Sequence, residues 1–273
     1  MNWWDALLLG IVQGLAEFLP ISSSGHLVLF QTFIPGFHQP GVLFDVWLHL
    51  ATLFAVLFYF HRDLTAIGLS LIPGIRAGSS LEWSRPEAWR LALLLVVATI
   101  PAGIVGVALN EQIESLFQTG LIVGLALVVN GFILSLASRY RAGEKRMTGF
   151  RIGDAFLVGL AQAVSLAPGI SRSGSTIAAG MFRGLRGEEA VKFSFFLSIP
   201  AVLGAVLLEG LKEINQVHFA DIPSYGIGFV ASLFSGLLAI NLILRVVRKN
   251  QLKVFAYYCW VVGSISVLAS LAF

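Results

Sequence analysis

The sequence Pro20-Ile-Ser-Ser-Ser-Gly25 interrupts an apolar stretch over residues 3–34, and Pro168-Gly-Ile-Ser-Arg-Ser-Gly174 interrupts a second one over residues 153–186. Proline and glycine at this density end a helix. Each half is too short to cross a bilayer easily, because a transmembrane helix needs about 20 apolar residues. Backbone that breaks within a membrane is tolerated only where protein or a water-filled cavity satisfies it. Both stretches are therefore predicted to be re-entrant helical hairpins.

The composition is that of a polytopic membrane protein. Of the 273 residues, 57% are hydrophobic and 12% are charged, and the mean hydropathy is +0.84. Soluble domains carry about 25% charged residues. The composition excludes an ordinary soluble enzyme, a disordered protein and a nucleic-acid binder built on a basic patch, so no nucleic-acid partner is expected. Six runs are long enough to be full spans: 43–60, 90–109, 119–138, 190–210, 224–244 and 254–273.

The basic residues predict the orientation of these spans. Lysine and arginine concentrate in the loops at 61–89, 139–151 and 245–253, whereas the loop at 110–118 carries only acidic charges. The positive-inside rule places the three basic loops in the cytoplasm. Both termini are then outside, the first hairpin enters from the outside, and the second enters from the cytoplasm. Counting either broken stretch as a full span would put basic loops on opposite sides.

The chain contains an internal repeat. An offset of 149 residues aligns Asp5 with Asp154, Gln13 with Gln162 and Ser22 with Ser171 without a gap. Each half holds one hairpin and three spans, and an odd number of spans inverts the second half. The predicted fold is therefore all-α and polytopic, with six transmembrane helices and two re-entrant hairpins in an inverted-topology repeat. The first repeat covers 1–138, a basic cytoplasmic loop covers 139–152, and the second repeat covers 153–273.

The hairpin tips concentrate the polar groups that would lie within the membrane. Glu17, His26 and Arg172 are costly in hydrocarbon and are functional candidates for that reason. The Arg172 guanidinium suits phosphate oxygens, and the helix that starts at each break favours an anion at its N-terminus. The sequence therefore predicts a phosphate or diphosphate site, with a structural polar network as the alternative. Further substrate-binding candidates are Gln13, Ser22, Ser24, Gly25, Ser171, Ser173, Gly174, Ser175 and Thr176.

Catalytic and metal roles can be assigned to the same tips. Glu17, with Gln13 one helical turn before it, offers oxygen ligands for a hard divalent cation. Ser23 activated by His26, His26 itself, or water could attack phosphorus, and the sequence leaves the three open. Asp45 and His49 could line the access route or bind the metal, although a polar pair at a helix end is the simpler reading. Asn130, within a span, is expected to form hydrogen bonds between helices.

Two long motifs carry a family resemblance. Gln13-Gly-Leu-Ala-Glu-Phe-Leu-Pro-Ile-Ser-Ser-Ser-Gly-His26 and Pro168-Gly-Ile-Ser-Arg-Ser-Gly-Ser-Thr176 resemble the two signatures of bacterial undecaprenyl-diphosphatases of the bacitracin-resistance type. The resemblance extends to Phe44-Asp-Val46 and to residues 193–200. It implies a multi-pass enzyme of the bacterial plasma (inner) membrane that removes the terminal phosphate of undecaprenyl diphosphate. This reaction recycles the lipid carrier for peptidoglycan and confers bacitracin resistance, because the antibiotic acts on the substrate rather than on the protein.

The resemblance also assigns residues. It implies that Glu17, His26 and Arg172 are essential, that Ser23 is a candidate nucleophile, and that the site opens to the outer, periplasmic side. It implies a divalent cation, Mg²⁺ or Ca²⁺, with Glu17 and Gln13 as candidate ligands. Gln13 stands where many members carry glutamate, which weakens the case for a two-carboxylate metal site. The lipid bilayer and the polyprenyl diphosphate are the expected partners, and a homodimer is left open.

Two other functions compete with this one. Phosphatases of the phosphatidic-acid type share a Ser-Gly-His element, here Ser24-Gly-His26, but need a lysine seven residues before an Arg-Pro pair. The Arg-Pro pair of this chain is Arg85-Pro86, and Gly78 stands at that position. The second alternative is a transporter or flippase of an anionic or lipid-phosphate substrate. Broken helices in inverted repeats are a transporter architecture, and a transporter needs no nucleophile.

Overall fold

The computed structural model describes residues 2–33, 42–72, 85–116, 119–140, 143–213 and 222–272. In these ranges the regular secondary structure is helical. They contain no strand, apart from one isolated bridge between Lys145 and Leu185. A short 3-10 turn lies at Met147–Gly149. The α-helices are α1 Trp3–Phe18, α2 Ser23–Phe33, α3 Val42–Tyr59, α4 His61–Leu71, α5 Arg85–Ala108, α6 Asn110–Leu116, α7 Gly120–Arg139, α8 Ile152–Val164, α9 Arg172–Phe182, α10 Gly187–Glu213, α11 Ile222–Arg248 and α12 Lys253–Ala272.

Each broken stretch forms two helices that are separated at the predicted break. The first helix, α1, ends where Leu19 N donates to Leu15 O at 3.0 Å, directly before Pro20. Ser22 adopts a φ of 68°, which turns the chain into α2. In the second stretch Gly169 has a φ of 94° and turns the chain toward α9. The two breaks therefore use a left-handed residue at different positions relative to the repeat.

Five helices are long and apolar enough to cross a membrane, namely α5, α7, α10, α11 and α12. Each coincides with one predicted run, although residue 273 lies outside the described residues. The remaining run, 43–60, coincides with α3. This helix continues into α4 across a bend of 79°, and the pair counts as a sixth candidate span.

Two predicted loops contain helices that the sequence analysis missed. In the loop at 61–89, α4 buries Ala66 and Ile67 and exposes Arg62. The Asp63 carboxylate binds Lys192 Nζ of α10 at 3.1 Å, which anchors α4 to the spans. In the loop at 110–118, α6 adds two turns. Both helices are short and partly polar, so neither produces the long apolar run that marks a span. Arg76 and Arg141 of the basic loops lie outside the described residues.

Helices of the two chain halves pack on each other. The first hairpin helix, α1, packs most extensively on α11, and α8 of the second stretch packs on α5. The other large interfaces join α7 to α12, and α3 to both α11 and α10. Close approach depends on glycine, because a Cβ at Gly14 would collide with Ser235 and a Cβ at Gly159 would lie 2.5 Å from Ala98 O. Small residues at such contacts are typical of membrane helices.

The interior is aromatic and the exterior is apolar. Phe18 of α1 and Phe195 of α10 meet edge to face with ring centroids 5.0 Å apart, and Phe60 contacts Phe196 at 5.4 Å. On the outside, Val107 is 79% exposed and Leu271 is 70% exposed. A surface this apolar marks contact with a membrane or partner rather than with water.

Candidate active site

The two helix breaks meet at one asparagine. Asn130 of α7 donates from Nδ2 to Pro20 O at 2.9 Å, and its Oδ1 accepts from Ser171 N at 3.2 Å. The Ser173 hydroxyl donates to Leu19 O at 3.3 Å. These bonds join backbone that neither break could satisfy alone. Asn130 thus has the cross-bonding role that the sequence predicts for it.

The serines at each break form matching caps. Ser171 is the N-cap of α9, and its hydroxyl accepts from Gly174 N at 3.1 Å. At the first break the Ser22 hydroxyl accepts from Gly25 N at 3.3 Å. These side chains satisfy N–H groups that have no partner inside the helix. Ser22 and Ser171 therefore fix the geometry of the tips.

Glu17 is the centre of the charged cluster. One carboxylate oxygen, Oε1, forms an ion pair with Arg172 Nη2 from the opposite break. The other oxygen, Oε2, accepts from Gln13 Nε2 at 3.0 Å and from Ser23 Oγ at 3.1 Å. His49 Nε2 of α3 lies 3.6 Å from the same oxygen. A buried carboxylate needs this many donors, because burial without them is costly.

A cavity of about 250 Å³ lies beside this cluster. Its volume is slightly below that of most small-molecule sites, which range over about 300–1,000 Å³. The cavity therefore suits a head group rather than a long apolar tail. One side of it is polar and the other is built of small apolar side chains. The lining residues are Ala16, Glu17, Ser22, Ser23, Ser24, His49, Ala102, Gln162, Ser165, Leu166, Ile170, Ser171, Arg172, Ala201, Val202 and Ala205.

Some predicted site residues line the cavity and others lie behind it. Glu17, Ser22, Ser23, Ser24, Ser171 and Arg172 are part of the lining. Thr176 is turned to the protein interior, where its Oγ1 lies 2.6 Å from Ser194 Oγ. The predicted residues outside the lining are Gln13, Gly25, His26, Ser173, Gly174, Ser175 and Thr176.

His26 points away from the cavity toward α12. Its Nδ1 lies 2.8 Å from Ser22 O, and its Nε2 lies 2.7 Å from the hydroxyl of Tyr258. A carbonyl oxygen only accepts, so Nδ1 carries the proton and Nε2 accepts from Tyr258. Across the described ranges, no hydrogen bond joins His26 to Ser23. The structure thus pairs Ser23 with Glu17, whereas activation of Ser23 by His26 was one of the three alternatives that the sequence left open.

Three polar lining residues, His49, Gln162 and Ser165, were not among the predicted site residues. His49 was considered only together with Asp45, because nothing in the sequence shows which face of α3 meets α1. Gln162 was noted only as the repeat equivalent of Gln13, and that equivalence was the signal that could have identified it. The side chain of Gln162 is 2% exposed, and neither of its polar atoms has a hydrogen-bond partner among the described residues. Arg172 Nη1 is buried and unpartnered in the same way.

The residues at the cavity offer few ligands for a divalent cation. Within the described part of the chain, no three His, Cys, Asp or Glu side chains come close enough to hold an ion together. Glu17 supplies one carboxylate, and the buried Oε1 of Gln13 has no partner among the described side chains and backbone. Mg²⁺ is commonly held by one or two carboxylates together with substrate phosphates. The donor set therefore fits an ion that binds together with a phosphorylated substrate.

Comparison with known proteins gives a consistent result. The family described as "Bacitracin resistance protein BacA" matches residues 6–265. The chain is 43% identical to the undecaprenyl-diphosphatase of Syntrophotalea carbinolica, over 96% of this chain and 97% of the relative. It is 42% identical to that of Methanobrevibacter smithii, over 99% of both chains. Identity to that of Carboxydothermus hydrogenoformans is 40%, over 96% of this chain and 95% of the relative.

Proposed function

The chain belongs to the bacitracin resistance protein BacA family, and from this premise we propose that it is an integral-membrane phosphatase. It hydrolyses undecaprenyl diphosphate to undecaprenyl phosphate and phosphate, the activity for which its relatives are named. The reaction recycles the lipid carrier for peptidoglycan synthesis and confers bacitracin resistance. The observation that carries the proposal is the meeting of Glu17, Ser23 and Arg172 at one buried cavity.

The cavity provides an anion-binding group, a nucleophile and a proton acceptor. Arg172 binds phosphoryl oxygens through its free Nη1 and remains oriented by Glu17. The Ser23 oxygen attacks the terminal phosphorus, its proton passes to Glu17 Oε2, and the bond from phosphorus to the bridging oxygen breaks. Undecaprenyl phosphate leaves. Water then attacks the phosphorus bound to Ser23, the bond from phosphorus to Ser23 Oγ breaks, and phosphate leaves. Oγ regains a proton from the attacking water, and Glu17 releases its proton to solvent. Attack by water or by His26 is the alternative, and the bond from Tyr258 to His26 Nε2 favours Ser23 over His26.

A divalent cation has a supporting place in this proposal. Mg²⁺ or Ca²⁺ held by Glu17 and Gln13 would offset negative charge on the diphosphate. The remaining ligands would come from the substrate and water, since this pair alone supplies too few. Removal of the ion is therefore expected to weaken substrate binding and turnover together.

The proposed topology is the inverted repeat. Its support is the reciprocal packing, in which the first helix of each hairpin, α1 or α8, lies on a helix of the other half, while α3 packs on α10 and α7 on α12. The distribution of lysine and arginine supports cytoplasmic basic loops and outside termini. The opening of the site to the periplasm rests on the resemblance to the family. The polyprenyl tail then lies among the spans in the plasma membrane, with only the diphosphate in the cavity.

Phosphate release tests the proposed function. We would compare wild-type protein, purified in detergent and supplied with undecaprenyl diphosphate and Mg²⁺ or Ca²⁺, with Arg172→Ala and with Arg183→Ala. Arg183 follows α9 directly and binds Asp154 at 2.7 Å outside the cavity lining, so it is a matched control. Loss of Arg172 should lower turnover about 10²- to 10³-fold, and loss of Arg183 should not. Wild-type protein that binds the lipid without releasing phosphate would refute the enzyme and favour the transporter alternative.

A further inference from the structure

Gln162 is a buried polar side chain without a structural task. It lies on α8, is 2% exposed, and lines the cavity with Arg172. Neither its Nε2 nor its Oε1 has a hydrogen-bond partner in the described ranges. Buried side-chain amides are normally bonded, because burial removes the water that would otherwise satisfy them. An unbonded amide at a cavity wall is therefore a candidate ligand-binding group.

The internal repeat explains why this amide is free. Gln13 is the equivalent of Gln162 in the first half, and it donates to Glu17 one turn later at 3.0 Å. The position equivalent to Glu17 is Leu166, which has no acceptor. Both Gln162 and Leu166 line the cavity. The same glutamine thus supports a carboxylate in one half and faces the cavity in the other.

The balance of donors and acceptors indicates what Gln162 binds. Glu17 is the one acidic residue in the cavity lining, and both of its oxygens already accept hydrogen bonds. Arg172 Nη1 is a buried donor without a partner in the described structure. The lining therefore contains unpaired hydrogen-bond donors, and a ligand rich in acceptor oxygens would satisfy them.

We propose that Gln162 is a further substrate-binding residue whose side-chain amide donates to a phosphoryl oxygen beside Arg172. The inference rests on the proposed function, since it takes the diphosphate as the ligand. Gln162 does not attack phosphorus or move a proton. It adds a neutral hydrogen bond to the charged contact of Arg172 and so helps to orient the diphosphate.

Two substitutions test this role. Gln162→Met keeps the length of the side chain and removes both polar atoms, while Gln162→Glu keeps the shape and removes the donor. Loss of a hydrogen bond to a charged group should lower kcat/KM about 10- to 100-fold in Gln162→Met, mostly through KM. Gln162→Glu should lower kcat/KM further, because its carboxylate repels the phosphate. The melting temperature of substrate-free Gln162→Met should equal or exceed that of wild type, since an unpartnered amide is removed.

Ser266→Ala is the matched control for a purely structural bond. Ser266 is buried outside the cavity lining and donates to Gly120 O at 2.9 Å. Its removal should lower the melting temperature and leave KM unchanged. If Gln162→Met behaves like Ser266→Ala, Gln162 is structural and the inference is wrong. If Gln162→Glu matches wild-type activity, the side chain acts as an acceptor and the donor role is refuted.

A failed phosphatase assay would leave the inference testable. In that case the thermal shift produced by undecaprenyl diphosphate serves as the readout in wild type and in Gln162→Met. Loss of the shift in the variant supports binding through Gln162, and an unchanged shift overturns it. The failure of the proposed function and the failure of the inference are thereby separated.

Discussion

At the first helix break Ser22 accepts from Gly25 N at 3.3 Å, and at the second break Ser171 accepts from Gly174 N at 3.1 Å. Each capping serine also contacts a second serine two residues later. The Oγ atoms of Ser22 and Ser24 are 3.4 Å apart, and those of Ser171 and Ser173 are 3.1 Å apart. These serines and glycines occupy equivalent positions of the repeat. The two breaks thus share one capping framework.

The catalytic candidates occupy positions at which the halves differ. Ser23 corresponds to Arg172, Glu17 to Leu166, and His26 to Ser175. The shared residues hold the backbone, and the differing residues bring a nucleophile and a carboxylate from one break to a guanidinium from the other. Comparison of the two breaks therefore distinguishes the capping serines from the groups proposed to carry out the reaction.

The largest effect is expected at Ser23, where the halves differ. Ser23→Ala removes the proposed nucleophile and should lower phosphate release at least about 10³-fold. Ser24→Ala, at a shared position in the same cavity wall, is the control and should lose only a small part of the activity. A comparable loss at both positions in the phosphate assay would contradict the separation of roles.

Glu17 should show the next largest effect. Glu17→Leu gives the first half the residue of the second, and loss of the proton acceptor should lower turnover about 10²- to 10⁴-fold. It also leaves Arg172 without its ion-pair partner, so the melting temperature should fall. Glu17→Gln keeps the shape and should be inactive but more stable than Glu17→Leu. Full activity in Glu17→Gln would show that the carboxylate is not the acceptor.

The shared caps should affect stability more than chemistry. Ser22→Ala and Ser171→Ala each remove one capping bond, which typically costs about 0.5–2 kcal/mol. We expect similar decreases in melting temperature for the two variants, measured in detergent, with turnover changing less than in Ser23→Ala. A large stability loss in one variant alone would show that the two caps are not equivalent.

The smallest effect is expected at Tyr258. Tyr258→Phe removes the hydrogen bond to His26 Nε2 and should lower kcat about 3- to 10-fold with KM unchanged. Tyr257→Phe, on the neighbouring exposed position of α12, should behave as wild type. An increase in activity would instead show that Tyr258 restrains a His26 that takes part in the reaction.

Local signals made the breaks and the cluster predictable. Pro20 and Pro168 each lie close to glycine and serine and so mark a helix break, and charged residues such as Glu17 and Arg172 stand out in an apolar chain. The direction of His26 was not predictable, because it depends on the rotation of α2 and on a tyrosine 232 positions away in the chain. His49 and Gln162 were not predicted to line the site because the sequence does not show which face of their helices meets the cavity. Helix α4 escaped because it is short and amphipathic.

The packing of the first hairpin on a helix of the other half has a consequence for biosynthesis. The helix α1 has its main partner in α11, which begins at Ile222. Chains are synthesised from the N-terminus, so α1 leaves the ribosome long before the surface that covers it exists. The first hairpin therefore lacks its main packing partner until α11 has been synthesised. Final assembly of the site therefore follows the synthesis of α11. A truncated first half lacks this helix, on which Gly10 and Gly14 pack.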